Sequence, residues 1–222
     1  MSERAIRVAT WNVHGLRGGV AAVAEVVEAE EVDILLVQES GPRRRLAALG
    51  RALGMTVLAD PRAFPRRRVH DAVLVRSGHE VRRHELIRFG SGPFLQPRGA
   101  LVARLADPLI AVSVHLGLRG PERGRQIGEL VSFLEGAADG FVLGGDLNVL
   151  PEQAGPARLA GVATDCWVAA GEGPGPTFPS TDPTARIDYL FVGHAVQALR
   201  ARTAGATASD HLMVVADLRV GR

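Results

Sequence analysis

The chain has 222 residues, of which 46% are hydrophobic and 23% charged, the composition of an ordinary globular protein. No apolar run reaches the roughly 18 residues of a membrane-spanning helix, and the start MSERAIRVATWN lacks an apolar secretory segment. The single cysteine, Cys166, excludes an internal disulfide, so a cytoplasmic protein is expected. The net charge is only +2 although the pI is about 9.4, and every residue of the Lys and Arg class is arginine. With the abundance of Ala, Gly and Pro, this arginine usage points to a GC-rich genome. The runs Arg43-Arg44-Arg45, Arg66-Arg67-Arg68 and Arg82-Arg83 are accordingly read as solvated faces, although such clusters also meet phosphates.

Short β-like runs alternate with helical stretches. The spacing predicts a strand over Ile6 to Asn12, a helix over Val20 to Glu30 and a fully buried strand over Val32 to Glu39. A helix follows from about Pro42 to Leu53, with Leu46, Leu49 and Leu53 on one face. MTVLAD and DAVLVR are the next strands, then GALVARL and LIAVSVHL form an antiparallel pair across an ADP turn. The clearest helix starts at Pro121 and carries Ile127, Leu130, Val131 and Leu134 on one stripe. GFVLGG is a strand, a short helix follows Pro151, and GEGPGPTFPSTDPTA is a loop. RIDYLFV and LMVVADLRV complete the strands. No repeat and no linker divides the chain, and the expectation is one mixed α/β domain over residues 1–222.

Polar residues recur at the ends of these strands. Asn12 closes the first, Glu39 the second and His115 the IAVSVH run; Asp146 and Asn148 follow FVLGG two positions apart. Asp188 sits in RIDYLFV, and Asp210 and His211 precede the last strand. Taken singly, each has an ordinary explanation: a turn residue, a core histidine, a helix cap at Glu39, an Asp188–Arg186 ion pair. Together they demand many separate explanations, and strand ends are where scaffolds present chemistry. An oxygen-rich set of Asp, Glu and Asn suits Mg²⁺ or Mn²⁺ better than zinc. The motifs of zinc proteases, P-loop nucleotide hydrolases and serine hydrolases are absent; HGLRGG (His14 to Gly19) matches no phosphate-loop fingerprint and reads as a loop. Metal-assisted hydrolysis remains. His115 and His211 are the members of the set with unperturbed pKa values near neutrality, so a histidine-like pH dependence is expected.

The ordered blocks TWN, LVQES, SVHL, GGDLN, RIDYLFV and SDH resemble the endonuclease/exonuclease/phosphatase superfamily, the fold of DNase I, from Asn12 to His211. The likeness is greatest to its sphingomyelinase-related and small bacterial branches. It implies a four-layered α/β sandwich, two mixed β-sheets face to face flanked by helices, with the site in a cleft at one end of the sheets. It further implies that Glu39, helped by Asn12, holds Mg²⁺ (or Mn²⁺), with Asp210 beside the metal site. Asp146 is implied as general base or orienter of the attacking water, with Asn148 fixing its geometry. His211 is implied to contact the scissile phosphate while Asp188 orients its imidazole. His115 occupies a position where abasic-site endonucleases carry tyrosine, which argues against that activity. His70 and Asp71 stand where the family usually has a glycine, and either line a loop or touch substrate. Arg98 in QPRGAL either binds phosphate or forms a structural ion pair.

The resemblance fixes a phosphoester hydrolase and leaves the substrate open. The basic pI and arginine runs favour a nucleic-acid or nucleotide phosphodiester. The alternative is a phosphatase or phosphodiesterase of a small molecule or phospholipid headgroup, of the inositol phosphatase or sphingomyelinase kind. A non-catalytic binding protein would be expected to have lost Glu39, Asp146 or His211, and all three are present.

Overall fold

Strands that are apolar on both faces need cover on both sides, and this requirement organises the molecule. The computed structural model describes residues 5–62, 67–90, 96–106, 108–137, 140–205 and 208–221. In β1 (Ala5–Asn12) and β2 (Ile34–Gln38), Ile6, Val8, Ile34 and Leu36 point one way, into a core shared with Leu101, Val142 and Leu190. Trp11, Leu35 and Val37 point the other way, against Val23 and Val27 of α1 (Val20–Ala29) and Leu46, Leu49 and Leu53 of α2 (Arg43–Leu53). The second half repeats the plan. β7 (Ile110–His115) and β8 (Phe141–Asp146) turn Val112, Val114 and Leu143 outward onto Ile127, Leu130 and Leu134 of α3 (Gly120–Glu135).

The result is helices, sheet, sheet, helices. One six-stranded sheet has the order β11-β12-β1-β2-β4-β3 and the other β5-β6-β7-β8-β10-β9. The remaining strands are β3 (Met55–Ala59), β4 (Ala72–Arg76), β5 (Val81–Arg88), β6 (Gly99–Leu105), β9 (Thr164–Asp165), β10 (Asp188–Val192), β11 (Val196–Ala204) and β12 (Met213–Val220). The helices α4 (Ala154–Ala160) and α5 (Cys166–Ala170) complete the elements. Each sheet contains one parallel pair, β1 with β2 and β7 with β8, joined by α1 and α3 respectively, and its other pairs are antiparallel. The expected antiparallel pairing of β6 with β7 is present, with Asp107 of the turn outside the described residues.

Several boundaries differ from the sequence expectation. β2 is shorter at both ends, which leaves Glu39 just past the strand with a left-handed φ of 48°. β10 begins at Asp188, two residues after Arg186. Pro121 is the second helical residue of α3, because Arg119 is the N-cap. β5 and β11 were not expected at all: β5 is mostly polar, polar residues interrupt β11, and each has a register shift, at Val81/Arg83 and Ala198/Arg200, so neither carries the strict apolar alternation that marks a half-buried strand.

The two glycines before Asp146 are required by close approach. A Cβ on Gly144 would lie 2.7 Å from Leu36 Cδ1 and 2.8 Å from both Thr10 Cβ and Leu190 Cδ2, while one on Gly145 would lie 1.9 Å from the Val114 carbonyl oxygen. Gly124 on α3 has open space at the same position. In urea unfolding, Gly144→Ala and Gly145→Ala are each expected to cost about 1–3 kcal/mol, as overpacking does. Gly124→Ala should be neutral or stabilise by up to about 1 kcal/mol. Equal stability of all three variants would contradict this account of the sheet contact.

Candidate active site

The parallel pairs bring their C-terminal ends together at one rim. In register, Asp146 lies between His115 of β7 and Asp188 of β10 within its own sheet. Across the sheets, Asn12 at the end of β1 donates from Nδ2 to Asp146 Oδ2 at 3.0 Å, with a longer contact of 3.5 Å to Glu39 Oε1. A buried polar clasp stands just beneath: Gln38 Nε2 donates to Ser113 Oγ at 3.1 Å, Ser113 Oγ donates to the Val37 carbonyl, and Thr10 Oγ1 donates to Gln38 Oε1. Every member is closed to solvent and hydrogen-bonded, so it fixes the lateral position of one sheet on the other.

Around Asp146 the side chains are ordered by pairs. Asp188 Oδ2 accepts from Thr177 Oγ1 at 2.6 Å and meets His211 Nδ1 at 2.9 Å. The His211 backbone is held from the other side, its carbonyl accepting from Trp11 Nε1 at 2.9 Å, and the Phe178 ring lies 4.8 Å from the imidazole. His211 Nε2 is left facing Asp146 Oδ2 at 3.9 Å. On the opposite flank, His115 Nε2 lies 3.4 Å from Asp146 Oδ2 and 3.1 Å from Asn148 Nδ2, and the Asn148 N–H donates to Asp146 Oδ1 at 3.0 Å. His14, Glu39 and Asn148 all adopt left-handed φ between 45° and 51° without being glycine. Backbone of this kind costs about 1 kcal/mol or more and gathers at functional sites.

Burial and charge push these groups apart. Burial lowers the His211 pKa, but the hydrogen bond and charge of Asp188, with Asp146 and Asp210 behind, outweigh it and push the imidazole up to about 9. His115 falls well below its usual value through burial first, then through the positive charges of Arg98, His211 and His70. Asp146 rises to about 7 through burial and the Asp188 charge, against the pull of His211, Asn12 and the Asn148 N–H. The histidine-like pH dependence expected from unperturbed imidazoles is therefore modified: His211 is raised, His115 is lowered, and Asp146 is the group brought near neutrality.

Most of the expected residues meet here: Asn12, Glu39, His115, Asp146, Asn148, Asp188 and His211. Asp210 stands at the edge, half-exposed, with Oδ2 3.3 Å from His14 Nδ1. Arg98 lies close enough for its charge to act on both His115 and Asp71. The Asp188–Arg186 ion pair considered from the sequence does not form, since Arg186 binds Asp165 at 2.9 Å. Nor does Glu39 cap α2, whose N-terminus has no side-chain cap. Sequence reasoning missed Thr177, hidden in a Gly/Pro-rich loop, and His14, whose loop forms a 3-10 turn. Asp71 was left undecided, and it belongs to the site: it is buried, its Oδ2 has no hydrogen-bond partner, and its pKa is raised well above the usual range by burial, with Asp146 and Glu39 adding to the shift.

Donors for a cation are present. Ligand-type atoms of Asp146, Asp188 and His211 lie within 4.8 Å of one another, and the two carboxylates offer oxygen donors, with buried Asp188 Oδ1 free of any hydrogen-bond partner; His211 could ligate only in its neutral form. With the Glu39 carboxylate 3.5 Å from the same Asn12 amide nitrogen that binds Asp146, the set is oxygen-rich and fits a hard divalent ion.

Over residues 9–211 the sequence matches the model of the Endonuclease/Exonuclease/phosphatase family, and the chain belongs to that family. It is thereby an enzyme of the metal-dependent phosphoric ester hydrolase class. Among curated proteins nothing matches the sequence. Among solved structures, an endonuclease/exonuclease/phosphatase of Bacteroides vulgatus superimposes with a TM-score of 0.85 at 18% identity, covering 98% of this chain and 99% of its own. The mannosyl-6-phosphatase of Bacteroides thetaiotaomicron gives 0.83 at 17% identity, covering 96% and 99%. Truncated TDP2 of Caenorhabditis elegans gives 0.76 at 22% identity, covering 97% and 98%. At these identities the likeness establishes the shared four-layered fold. No helix among the described residues is long and apolar enough to cross a membrane.

The proton balance of the site is directly measurable. In metal-free protein, the His211 resonance should titrate near 9 by NMR, and in Asp188→Asn it should fall by at least about one unit once the paired charge is gone. The linkage has a definite sign. A raised His211 pKa contributes stability that is full below about 6.5 and lost as pH rises through about 9. A raised Asp146 pKa contributes stability that is full below about 3.8 and lost through about 7. The melting temperature in EDTA should therefore fall between about pH 6 and 9. An unshifted His211 titration in the variant would remove Asp188 as its partner.

Proposed function

We propose that this protein is a Mg²⁺-dependent phosphodiesterase of nucleic-acid or nucleotide substrates that directs in-line attack of water on phosphorus. The observation that carries the reading is the arrangement about Asp146, a buried carboxylate held by the Asn12 amide and the Asn148 N–H. His115 Nε2 lies at 3.4 Å on one side and, at 3.9 Å on the other, the Nε2 of a His211 paired to Asp188, and the pKa shifts of these groups accord with it. Groups whose environments drive their pKa values apart are matched to proton transfer in opposite directions.

In this reading Asp146 accepts the proton of the attacking water, and the Asn148 N–H and Asn12 amide fix the carboxylate that does so. His211, kept protonated by Asp188, presents its Nε2–H to a phosphoryl oxygen and stabilises the charge that grows there. His115, neutral and tied to Asn148, is a hydrogen-bonding wall for the phosphate. Glu39 and Asn12 would hold the cation, with Asp210 beside it and Mn²⁺ as a substitute for Mg²⁺. A bound divalent ion supplies neutralisation of the phosphoryl oxygens and a lowered pKa for water. Arg98 is a phosphate contact beside His115. The single, buried cysteine accords with a cytoplasmic enzyme, and the chain is taken as one domain over residues 1–222.

A second reading has its own support. Near-complete mutual coverage with a mannosyl-6-phosphatase favours a monoester phosphatase of a small phosphorylated molecule.

Hydrolysis of an aryl phosphodiester and an aryl phosphomonoester, each with Mg²⁺ or EDTA, separates the two. Metal-dependent turnover preferring the diester is expected, and preference for the monoester would move the assignment to the phosphatase. Asp146→Asn, Glu39→Ala and His211→Ala should each lose at least about a hundredfold in rate. Near wild-type activity in any one of them would remove that residue from the mechanism.

A further inference from the structure

Two arginine runs, expected to be solvated, meet across the same opening. A cleft of about 500 Å³ is lined by Arg17, Arg43, Arg45, Arg68 and His70, with Gly41 at its floor. Gly41 lies two residues beyond Glu39, His70 is adjacent to Asp71, and Arg17 Nη1 contacts His14 Nε2 at 2.9 Å, the imidazole that faces Asp210. The cleft thus shares a wall with the candidate active site. Arg66 of the second run lies outside the described residues.

Among the described residues, no carboxylate is hydrogen-bonded to Arg43, Arg45 or Arg68. Arg43 donates to the Asp60 carbonyl at 2.9 Å and Arg45 to the Leu16 carbonyl at 3.3 Å. Arg68, only 4% exposed, reaches the Gly41 carbonyl and His70 Nδ1. None of these partners is a carboxylate. The acid that acts on Arg68, Asp60, is itself bound to Arg88 and to the Val69 N–H. Burial and the Arg43 charge both work against the Arg68 proton. The adjoining end of α2 is equally unbalanced: Pro42 is its N-cap, no side chain caps it, and its first turn holds three arginines and no acid. Positive side chains at a helix N-terminus oppose the helix dipole. All of these costs are relieved by one occupant, an anion.

We infer that this cleft is a second phosphate site, holding a phosphate of the substrate other than the one attacked. The inference rests on the proposed hydrolase reading and adds that the natural substrate carries at least two phosphates. Those phosphates belong either to a nucleic-acid strand crossing from the active site into the cleft or to a compact bisphosphate.

Arg43 and Arg45 are exposed, so Arg43→Gln/Arg45→Gln tests the site without threatening the fold. Arg82→Gln/Arg83→Gln on edge strand β5 is the control of equal charge outside the cleft. Binding is read in EDTA, without turnover, using a fluorescein-labelled ten-nucleotide DNA strand and, in parallel, inositol bisphosphate by calorimetry. The cleft variant should bind one of the two ligands at least about tenfold more weakly, and for the strand with a shallower salt dependence. The control should change by less than about twofold. The ligand that shows the contrast identifies the source of the phosphate. An equal loss in both variants, no loss in either, or no binding of both ligands by the wild type overturns the inference. Hydrolysis of the single-phosphate aryl diester should be the same in wild type and cleft variant. Its absence in the wild type would sink the proposed hydrolase while the binding contrast still decides the cleft.

Discussion

The structure depends on how closely its two sheets approach at one point. Gly144 has no side chain because Leu36 and Thr10 of the facing sheet and Leu190 of its own already occupy that volume. Any side chain there would part the sheets, and Asp146, two residues on, would move away from Asn12. The 3.0 Å contact between those two side chains links the halves of the site, as does the 2.9 Å contact of His211 with Asp188. Beneath it the Thr10–Gln38–Ser113 clasp prevents the sheets from sliding, since displacement would strand buried polar groups at a cost of about 1–3 kcal/mol each. Steric contact sets the separation and polar contact sets the register.

A site assembled between two sheets can place unlike groups at short range without their sharing a backbone. Asp188 and Asp146 are paired across antiparallel strands, so their charges raise the proton affinity of whatever lies between them. That neighbour is His211, delivered by the turn before β12, and it takes up the positive charge. His115 lies on the other side of Asp146, buried and near cations, and stays neutral. Strand order, more than local sequence, therefore decides which histidine is an acid. Thr177 and Trp11 hold the pair in place, the first on Asp188 and the second on the His211 carbonyl.

What the sequence revealed follows the same division. The buried strands, the main helices and the polar residues at strand ends were legible because burial on both faces and abrupt polarity leave marks in a short window. β5 and β11 were not, because arginines and a register shift in each break the alternation that a short window can read. The site residues were legible as a set, through their order along the chain, while their protonation was not: it depends on burial and on charges distant in sequence, Asp188 for His211 and Arg98 for His115. Thr177 looked like loop, and Arg186, close to Asp188 in sequence, turned instead to Asp165. The arginine runs misled in the opposite sense. Arg67 is exposed as expected, but Arg68, one position on, is buried against Gly41.

The charge layout carries a consequence for the order of events. The interior of the site holds Asp146, Asp188 and Asp71, with Glu39 at its edge, and His211 and Arg98 are the cations that act on them. The carboxylates of that interior oppose a phosphate while His211 and Arg98 favour it, and a bound cation would tip the balance further toward it. The cleft next door is lined by cations, and an anion is attracted there without any cofactor. A substrate with two phosphates can therefore be held by the cleft before its scissile phosphate is seated. Anchoring by a non-reacting group converts the second encounter into an intramolecular one, which raises the effective concentration of the scissile phosphate at the site. On a scaffold this small, with few loops to enclose a ligand, such an anchor is the cheapest physical route to selectivity. It also explains why cations that would weaken the N-terminus of α2 stand there.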